Sequence, residues 1–324
     1  METQNEKKTA GMKEDMTLLD YIGIQISRMT LSRKLGTAHN YRRAQKSISV
    51  FTGGKDILLR DVDENFIDSY NAHLVGRGLV RNSISFYMRI LRAVYNRAVR
   101  HKLTSQKYPF QNVYTGVDRT RKRAVGREVI SRIFNLDLPR GSKLELSRDL
   151  FIFSYLTRGM SFVDIAFLKK SDLSHGTLTY FRKKTGQLLS VRIEPDAMSI
   201  ISRWKSGTSG TRYLFPVLKS DNPKEAYREY QSALNSHNRS LHKIAGMTGA
   251  DCNLTSYISR HTWATTARDC QIPISIISQA LGHTSERTTR IYLTDIGNDA
   301  IDQANHAIIS FLHPRSGTAI RPRP

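Results

Sequence analysis

The clearest candidate for chemistry in this sequence is a tyrosine near its end. Tyr292 lies in the segment LGHTSERTTRIYL, nine residues after His283, and Thr288, Thr289 and Arg290 stand between the two. A phenol has a pKa near ~10, so almost all of it is protonated at neutral pH. Nucleophilic chemistry at Tyr292 therefore requires a base, an electropositive pocket and an anionic electrophile.

The composition favours an anionic partner. Lysine and arginine number 50 against 28 aspartate and glutamate residues, which gives a formal net charge of +22 and a pI near 10.1. A charge of this size indicates a polyanion as partner, although solubility alone is the alternative. A chain of 324 residues with 39% hydrophobic residues is expected to form two domains, each with its own core.

The cysteine count and the hydropathy exclude several classes of protein. Only Cys252 and Cys270 occur and no CxxC pair exists, so we expect no cysteine-based zinc site and a reducing, cytoplasmic compartment. No apolar run approaches the ~18 residues that span a bilayer, and the amino terminus METQNEKKTAGMKED lacks the apolar core of a signal peptide. We therefore expect no membrane location, no metal and no other cofactor.

A second motif supplies positive charge. Arg260 and His261 begin an apolar-faced helical segment, ISRHTWATTARD. With LGH and Tyr292 following it, this segment resembles the active-site motifs of the tyrosine recombinases of the phage integrase type. A guanidinium fork can donate two parallel hydrogen bonds to phosphate oxygens, and Arg260 is the residue expected to do so. The resemblance implies that His283 contacts the same phosphate or helps to move the phenolic proton. The alternatives are that His283 is an ordinary histidine at a helix terminus and that Tyr292 is a tyrosine of the core.

The family also uses a lysine on a β-hairpin to protonate the leaving 5′ oxygen. In the segment FRKKTG, Lys184 matches that place, directly before Thr185 and Gly186. Alternation along a strand predicts that Arg182 and Lys184 point to one side and Lys183 to the other. We expect Arg182 to bind DNA; the alternative is that all three cations position phosphates without catalysis.

Two positions depart from the pattern of the family. Ser161 stands where the first catalytic arginine is usual, although Asp164, Leu168 and Asp172 match the rest of that tract. Arg158 lies three residues earlier, about one helical turn back, and is expected to replace the missing arginine rather than to be a surface arginine.

The second departure is Tyr257, where a histidine is commonest. Its hydroxyl can form a hydrogen bond but cannot act as a base near pH 7, so we expect only a phosphate contact. The base then stays unassigned between His283 and solvent, and His261 is expected to stabilise its helix. The tract RGMSFVD together with Tyr257 resembles the branch of the family found on mobile elements and invertible DNA of Bacteroides-type bacteria.

The elements that position these residues begin with a helical region. Residues 1–15 are polar and expected to be disordered, and residues 16–110 are expected to form a helical core DNA-binding domain. Its strongest predicted helix is RNSISFYMRILRAVYNRAVRHKL, with apolar residues at three- and four-residue spacing. We expect its basic residues to contact the DNA backbone, the alternative being a solvated face: Arg81, Arg89, Arg92, Arg97 and Arg100.

Residues 111–125 are predicted to be a basic linker. They include Arg121, Lys122 and Arg123 and lack apolar periodicity, so they suit a strap that closes around a duplex; a connector that touches nothing is the alternative. Residues 126–311 are predicted to form the catalytic domain, and residues 312–324 a basic tail. With no further domain expected before residue 16, the chain is interpreted as a compact recombinase.

Within the catalytic domain, HGTLTYFRKKTGQLLSVRI predicts a strand, a turn and a strand, and DAIDQANHAIISFL a last amphipathic helix. The expected fold is therefore mainly α with a small β-sheet, in the two-domain architecture of tyrosine recombinases. The last amphipathic helix, DAIDQANHAIISFL, is expected to pack into a neighbouring subunit. The alternative is that it packs onto its own domain.

The resemblance implies a site-specific DNA recombinase. Tyr292 would form a 3′-phosphotyrosyl link within a homotetramer on double-stranded DNA, for integration, excision or inversion. Accessory DNA-bending or directionality proteins are possible partners. Two alternatives stay open: a type IB topoisomerase-like enzyme that works on one duplex as a monomer, and a DNA-binding protein of the same fold with impaired catalysis, because Ser161 and Tyr257 replace expected groups.

Overall fold

The computed structural model describes residues 15–118, 124–291, 293 and 305. The chain divides into two compact units between residues 121 and 122. The described part is mainly helical with one small sheet, which confirms the predicted fold class. No helix within the described ranges is long and apolar enough to cross a membrane.

The first unit is built from four α-helices. These are α1 (Leu18–Leu31), α2 (Leu35–Phe51), α3 (Glu64–Gly76) and α4 (Arg81–Arg100), with a 3-10 turn at Leu59–Asp61 between α2 and α3. Each helix contributes one apolar stripe to a common core, because apolar residues three and four apart share a helix face. The largest fully buried side chains of this core include Tyr21, Ile48, Tyr70 and Tyr95.

The start of the expected linker belongs to this first unit. Asn82 exchanges two hydrogen bonds with the backbone of Asp118, at 2.8 and 3.1 Å. The hydroxyl of Tyr114 donates to the Asp118 carboxylate at 2.6 Å, and Val113 is buried in the core. Residues 111–118 are therefore held against α4. Arg121, Lys122 and Arg123 lie outside the described residues.

The second unit contains eight α-helices among the described residues. They are α5 (Arg127–Phe134), α6 (Lys143–Leu156), α7 (Phe162–Ala166), α8 (Pro195–Trp204), α9 (Pro223–Thr248), α10 (Ile258–Asp269), α11 (Ile274–Ala280) and α12 (Glu286–Arg290). The most buried is α6, whose residues include Leu150, Phe151 and Phe153 at 2% exposure or less.

The Asp149 carboxylate on α6 is buried, and several donors pair with it. It accepts hydrogen bonds from Arg148 at 2.6 Å, from Arg203 at 2.7 and 2.8 Å, and from the indole of Trp204 at 2.8 Å. These donors compensate the desolvation of a buried charge. They also tie α8 to α6.

A three-stranded antiparallel sheet lies beside the helices of this unit. Its strands β1 (Leu173–Ser174), β2 (Thr177–Phe181) and β3 (Leu188–Arg192) are ordered β1-β2-β3. In β2 the side chains alternate, with Leu178 and Tyr180 buried and their neighbours more exposed. The strand, turn and strand predicted from the sequence are thereby confirmed.

Candidate active site

Helix α10 buries Arg260, which is 3% exposed. Its Nη1 donates to the carbonyl oxygen of Gly159 at 2.8 Å, and its Nη2 donates to that of Leu281 at 2.6 Å. Nη2 also lies 3.0 Å from Nε2 of His283. The guanidinium is thus held between the loop that precedes α7 and the segment that follows α11, and its geometry is set by backbone atoms.

His283 is a neutral imidazole with a defined tautomer. A guanidinium has no acceptor, so Nε2 of His283 must accept from Arg260, and the ring proton is then on Nδ1. Nδ1 donates to the hydroxyl oxygen of Thr289 at 2.8 Å, and Thr289 is fully buried. Burial, and then the charges of Arg260, Arg182 and Lys184, lower the pKa of His283 to about 4.

Thr289 is a partner of His283 that no motif in the sequence indicates. It stands six residues after His283 in the segment that drew attention to Tyr292, but a threonine on a short helix carries no signal of its own. Only the fold of α12 shows that its hydroxyl meets the imidazole.

Two glycines allow the loops to approach this site closely. At Gly282 a Cβ atom would lie 2.9 Å from Cδ1 of Leu189 and 3.0 Å from Cδ of Arg182, and φ is +64°. At Gly159 a Cβ atom would lie 2.9 Å from Cα of Arg260, with φ at +69°. Both positions therefore require glycine for space and for the left-handed backbone.

Ser161, which stands where the family usually has an arginine, caps the start of helix α7. Its Oγ accepts from the backbone N–H of Asp164 at 3.4 Å at the start of α7, and donates to the Asp164 carboxylate at 2.6 Å. The other carboxylate oxygen of Asp164 accepts from the backbone N–H of Lys183 at 2.8 Å. Asp164, 3% exposed, thus joins α7 to the hairpin turn.

Arg182, expected to bind DNA, is directed into the protein. It is 7% exposed, its Nη1 donates to the carbonyl oxygen of Gly282, and its Nε lies 3.9 Å from the Asp164 carboxylate. Its charge also acts on His283. A guanidinium consequently lies beside the acidic residue that would normally support the arginine missing at Ser161.

The two lysines of the turn have different surroundings. Both are exposed, and the Lys183 ammonium lies 4.5 Å from the ring centroid of Phe167. The charge of Lys184 instead acts on His283. Strand alternation does not explain the different surroundings of Lys183 and Lys184, because β2 ends at Phe181 and both lysines belong to the turn.

The loop of Arg158 differs from the expectation. Helix α6 ends at Leu156 and α7 begins at Phe162, so Arg158 and Ser161 are not joined by a helical turn, and the role of Arg158 at a phosphate stays a prediction. Arg158 has φ +60° and donates to the carbonyl oxygen of Ser190 at 3.4 Å. A non-glycine residue in this backbone region carries strain of about 1 kcal/mol or more.

The charges of three arginines act on the buried hydroxyl of Tyr180. Burial and then Asp164 raise the pKa of the Tyr180 hydroxyl, while the charges of Arg182, Arg260 and Arg158 oppose that rise. Three guanidinium groups are therefore close enough to act on one buried phenol. These charges make the surroundings of Tyr180 suitable for an anion.

Of the other predicted residues, Tyr257 is 44% exposed, and its ring centroid lies 5.4 Å from that of His261. Tyr292 lies outside the described residues, as does the last amphipathic helix apart from Asn305. Within the ranges that the structure describes, no group of three or more histidine, cysteine or acidic residues could hold a metal ion.

The arginines of α4 fall into two groups. Arg81, Arg89, Arg92 and Arg100 are exposed. Arg97 is instead turned toward the core of the first unit, where its Nη1 donates to Oε1 of the fully buried Gln25 at 2.7 Å. Exposed cations on one helix suit a phosphate backbone, whereas Arg97 donates to the oxygen of a buried amide.

Residues 111–118 also contact this basic helix. The Arg81 guanidinium lies 3.8 Å from the ring centroid of Tyr114 and 3.6 Å from the Asp118 carboxylate. Arg92 donates to the hydroxyl of Thr115 at 2.8 Å. These contacts orient two of the four exposed arginines.

A helical unit with a basic face, and a second unit with guanidinium groups beside a neutral imidazole, suit a protein that binds the phosphates of a nucleic acid. The sequence model of the Phage integrase family matches residues 128–296, more than half of the chain, and that of the Phage integrase SAM-like domain matches residues 17–113. The chain belongs to the phage integrase family. It is a site-specific tyrosine recombinase, an enzyme that cleaves and rejoins DNA, as the sequence predicted.

Solved structures of low sequence identity share the fold. A lambda integrase (75-356) dimer bound to a COC′ core site has a TM-score of 0.63 at 17% identity, over 95% of this chain and 100% of that chain. The Tn1549 transposon integrase in complex with transposon right end DNA has a TM-score of 0.63 at 14% identity, over 91% and 100%. A lambda integrase tetramer bound to a Holliday junction has a TM-score of 0.60 at 18% identity, over 89% and 80%. No curated protein sequence matches the chain.

Proposed function

We propose that Tyr292 attacks a DNA phosphate and that Arg260 holds that phosphate during the attack. The phenolic oxygen forms a bond to phosphorus, the bond to the 5′ oxygen breaks, and a 3′-phosphotyrosyl link and a free 5′-hydroxyl result. A 5′-hydroxyl from a second duplex reverses the reaction without an external energy source, because the covalent link conserves the energy of the broken bond.

The observation that carries this proposal is the contact between Arg260 and His283. The backbone carbonyls of Gly159 and Leu281 already orient the buried guanidinium of Arg260, so its positive charge is fixed in place before a phosphate binds. The imidazole beside it is uncharged at neutral pH, so it does not compete as a cation for the phosphate. An arriving phosphate would raise its pKa through its negative charge.

Both His283 and solvent stay candidates for the base that accepts the phenolic proton. A pKa of about 4 makes His283 a weak base in this state, and His283 is proposed to contact the phosphate or to help move the proton. Tyr257 is proposed as a further phosphate contact only, since its hydroxyl is not a base near neutral pH.

Lys184 is the proposed general acid for the leaving 5′ oxygen. It is exposed in a turn whose neighbouring backbone N–H, that of Lys183, is held by Asp164. The ammonium is therefore on a fixed turn with a flexible stem, close enough for its charge to act on His283.

Two arginines compete for the role that Ser161 cannot fill. Arg158 was the candidate from the sequence and keeps a charge near Tyr180. Arg182 fits the geometry more closely, because it is buried, contacts the Gly282 carbonyl and lies beside Asp164. We propose that Arg182 takes the larger share of this role and Arg158 the smaller.

The proposed organisation follows the two units. Residues 16–110 form the core DNA-binding domain and residues 126–311 the catalytic domain. Arg121, Lys122 and Arg123 would continue the basic contact toward the catalytic domain. The solved relatives are integrases bound to DNA, among them a tetramer on a Holliday junction. By this likeness we propose a homotetramer on double-stranded DNA, joined through the C-terminal helix.

The finer assignments are proposals on the sequence alone. RGMSFVD with Tyr257 supports the Bacteroides-like branch, and accessory DNA-bending or directionality proteins are proposed as partners. Because the substrate is DNA and the chain contains only two cysteines, the proposed compartment is the cytoplasm. Inverted repeats beside the gene would favour inversion, and a mobile-element boundary would favour integration and excision.

A suicide substrate tests the proposal. Duplexes from the DNA flanking the gene, nicked near the recognition site, should trap a covalent protein–DNA adduct with the wild-type protein and none with Tyr292→Phe. Tight binding without an adduct would instead identify a DNA-binding protein of the same fold. Relaxation of one duplex by a monomer, without exchange between defined sites, would favour the topoisomerase alternative.

A further inference from the structure

The hairpin that carries Lys184 also exposes two large apolar side chains. Phe181 is 66% exposed and Leu188 is 54% exposed, and they are directly opposite each other where β2 ends and β3 begins. Opposite side chains on one face of an antiparallel pair are about 5 Å apart, so they form a single apolar patch. We call these two residues the hairpin patch.

The surroundings of the hairpin patch are polar and basic. On one side the hydroxyls of Thr179 and Ser190 lie 3.3 Å apart on the same sheet face. On the other side the turn exposes Lys183 and Lys184. An exposed apolar patch inside a polar rim is typical of an interaction site.

The hairpin patch and the two lysines belong to one closed hairpin. The turn is closed by two backbone hydrogen bonds of 2.8 Å, from Gly186 to Arg182 and from Arg182 to Gln187. Asp164 also holds the backbone of Lys183. Phe181 and Leu188 therefore lie at the base of the same closed turn that carries Lys184, within a few residues of its ammonium group.

We propose that the hairpin patch packs against the deoxyribose groups of the duplex beside the phosphate that Lys184 serves. This inference rests on the role proposed for Lys184. The walls of a DNA groove carry apolar C–H groups of the sugars between phosphates, and apolar side chains are known to enter the minor groove. The lysines of the turn supply the complementary charge for those phosphates.

A second copy of the chain is the less suitable occupant. Each copy carries a formal charge of +22, so a contact at the lysine turn would bring like charges together. Duplex DNA satisfies both the apolar surface and the charge around it.

Binding at several salt concentrations tests this inference. The double variant Phe181→Ala, Leu188→Ala should bind the recognition duplex about tenfold more weakly, because apolar burial is lost. The slope of log affinity against log salt should stay at the wild-type value, because no phosphate contact is removed. Phe134→Ala, which truncates another exposed phenylalanine on α5, is the matched control and should bind like wild type.

A crosslink gives a readout that does not depend on cleavage. Phe181 replaced by the photoreactive p-benzoylphenylalanine should crosslink to the duplex under ultraviolet light, and the same replacement at Phe134 should not. Crosslinks between protein chains instead of to DNA would overturn the inference in favour of a second copy.

Failure of this inference is distinguishable from failure of the proposed function. If wild type forms the covalent adduct and the Phe181, Leu188 double variant binds and cleaves equally well, only the role of the hairpin patch is lost. If wild type forms no adduct, the function proposed for Tyr292 and Lys184 fails, while the crosslink at position 181 still decides whether the patch meets DNA.

Discussion

Nη2 of Arg260 lies 3.0 Å from Nε2 of His283, and this contact determines which ring nitrogen carries the proton. The same contact contributes to the low pKa of the imidazole, after burial. Arg260 therefore helps to keep the neighbouring imidazole neutral, in addition to the phosphate contact proposed for it.

Stability should depend on pH through His283. Its pKa is lowered to about 4 in the folded protein from an ordinary 6.5, so the unfolded chain binds more protons between these values. The stability associated with His283 is therefore complete above pH 6.5 and is lost as the pH falls toward 4. Melting temperatures measured from pH 7.5 to 4 should fall less steeply for His283→Gln than for wild type. Identical pH profiles would contradict the low pKa; His237, also lowered in pKa to about 3, is present in both proteins.

Thr289 should position the imidazole rather than bind DNA. Thr289→Val keeps the shape but removes the acceptor for Nδ1–H, a loss of about 1 kcal/mol, or about fivefold. We expect slower adduct formation at unchanged affinity for the duplex. Thr289→Ser restores the hydroxyl and should restore the rate. Equal rates for the valine and serine variants would show that the hydroxyl has no role.

Gly282 should be intolerant of even one added carbon. Gly282→Ala must adopt φ +64° and also displace the side chains of Leu189 and Arg182. Gly176→Ala is the matched control, because φ there is +71° and nothing lies within 4 Å of the added Cβ. The control isolates the backbone cost of about 1 kcal/mol. Calorimetric melting should show a larger loss at Gly282, together with reduced adduct formation; equal losses would contradict the close approach.

The arginine that compensates for Ser161 can be identified by two single variants. Arg182→Ala should lower the rate of adduct formation by about 100-fold or more, as expected when one preorganised donor to a reacting phosphate is removed. Arg158→Ala should lower it less. Arg182→Lys keeps the charge without the fork and should recover only part of the rate. Normal cleavage by Arg182→Ala with loss in Arg158→Ala would reverse the assignment.

The arginines of α4 should separate into DNA contacts and a structural contact. Arg92→Gln should weaken binding to all duplexes alike and reduce the salt slope by about 1. Arg97→Gln should instead lower the melting temperature, because the buried Gln25 loses its donor. Both properties are measurable on the full chain. A reduced salt slope at unchanged stability for Arg97→Gln would show that Arg97 contacts phosphate after all.

The sequence by itself determined the fold class and the identity of the main cationic groups. Helical periodicity located α4, and a glycine between two β-favouring segments located the hairpin of Lys184. The motifs around Arg260 and His283 implied that both side chains serve one phosphate, and the structure brings them to 3.0 Å. These features could be predicted because spacing along one element is a local property, and local spacing decides which residues share a face.

Only the tertiary structure decided which side chains meet. Nothing in the spacing shows that Ser161 caps α7, that Thr289 orients His283, or that Arg182 turns inward to Asp164. These relationships depend on loops with left-handed residues, at Arg158, Gly159 and Gly282, which set the direction of the chain between elements. Such loops have no periodicity, so the contacts they create between distant residues appear only when the whole core is packed.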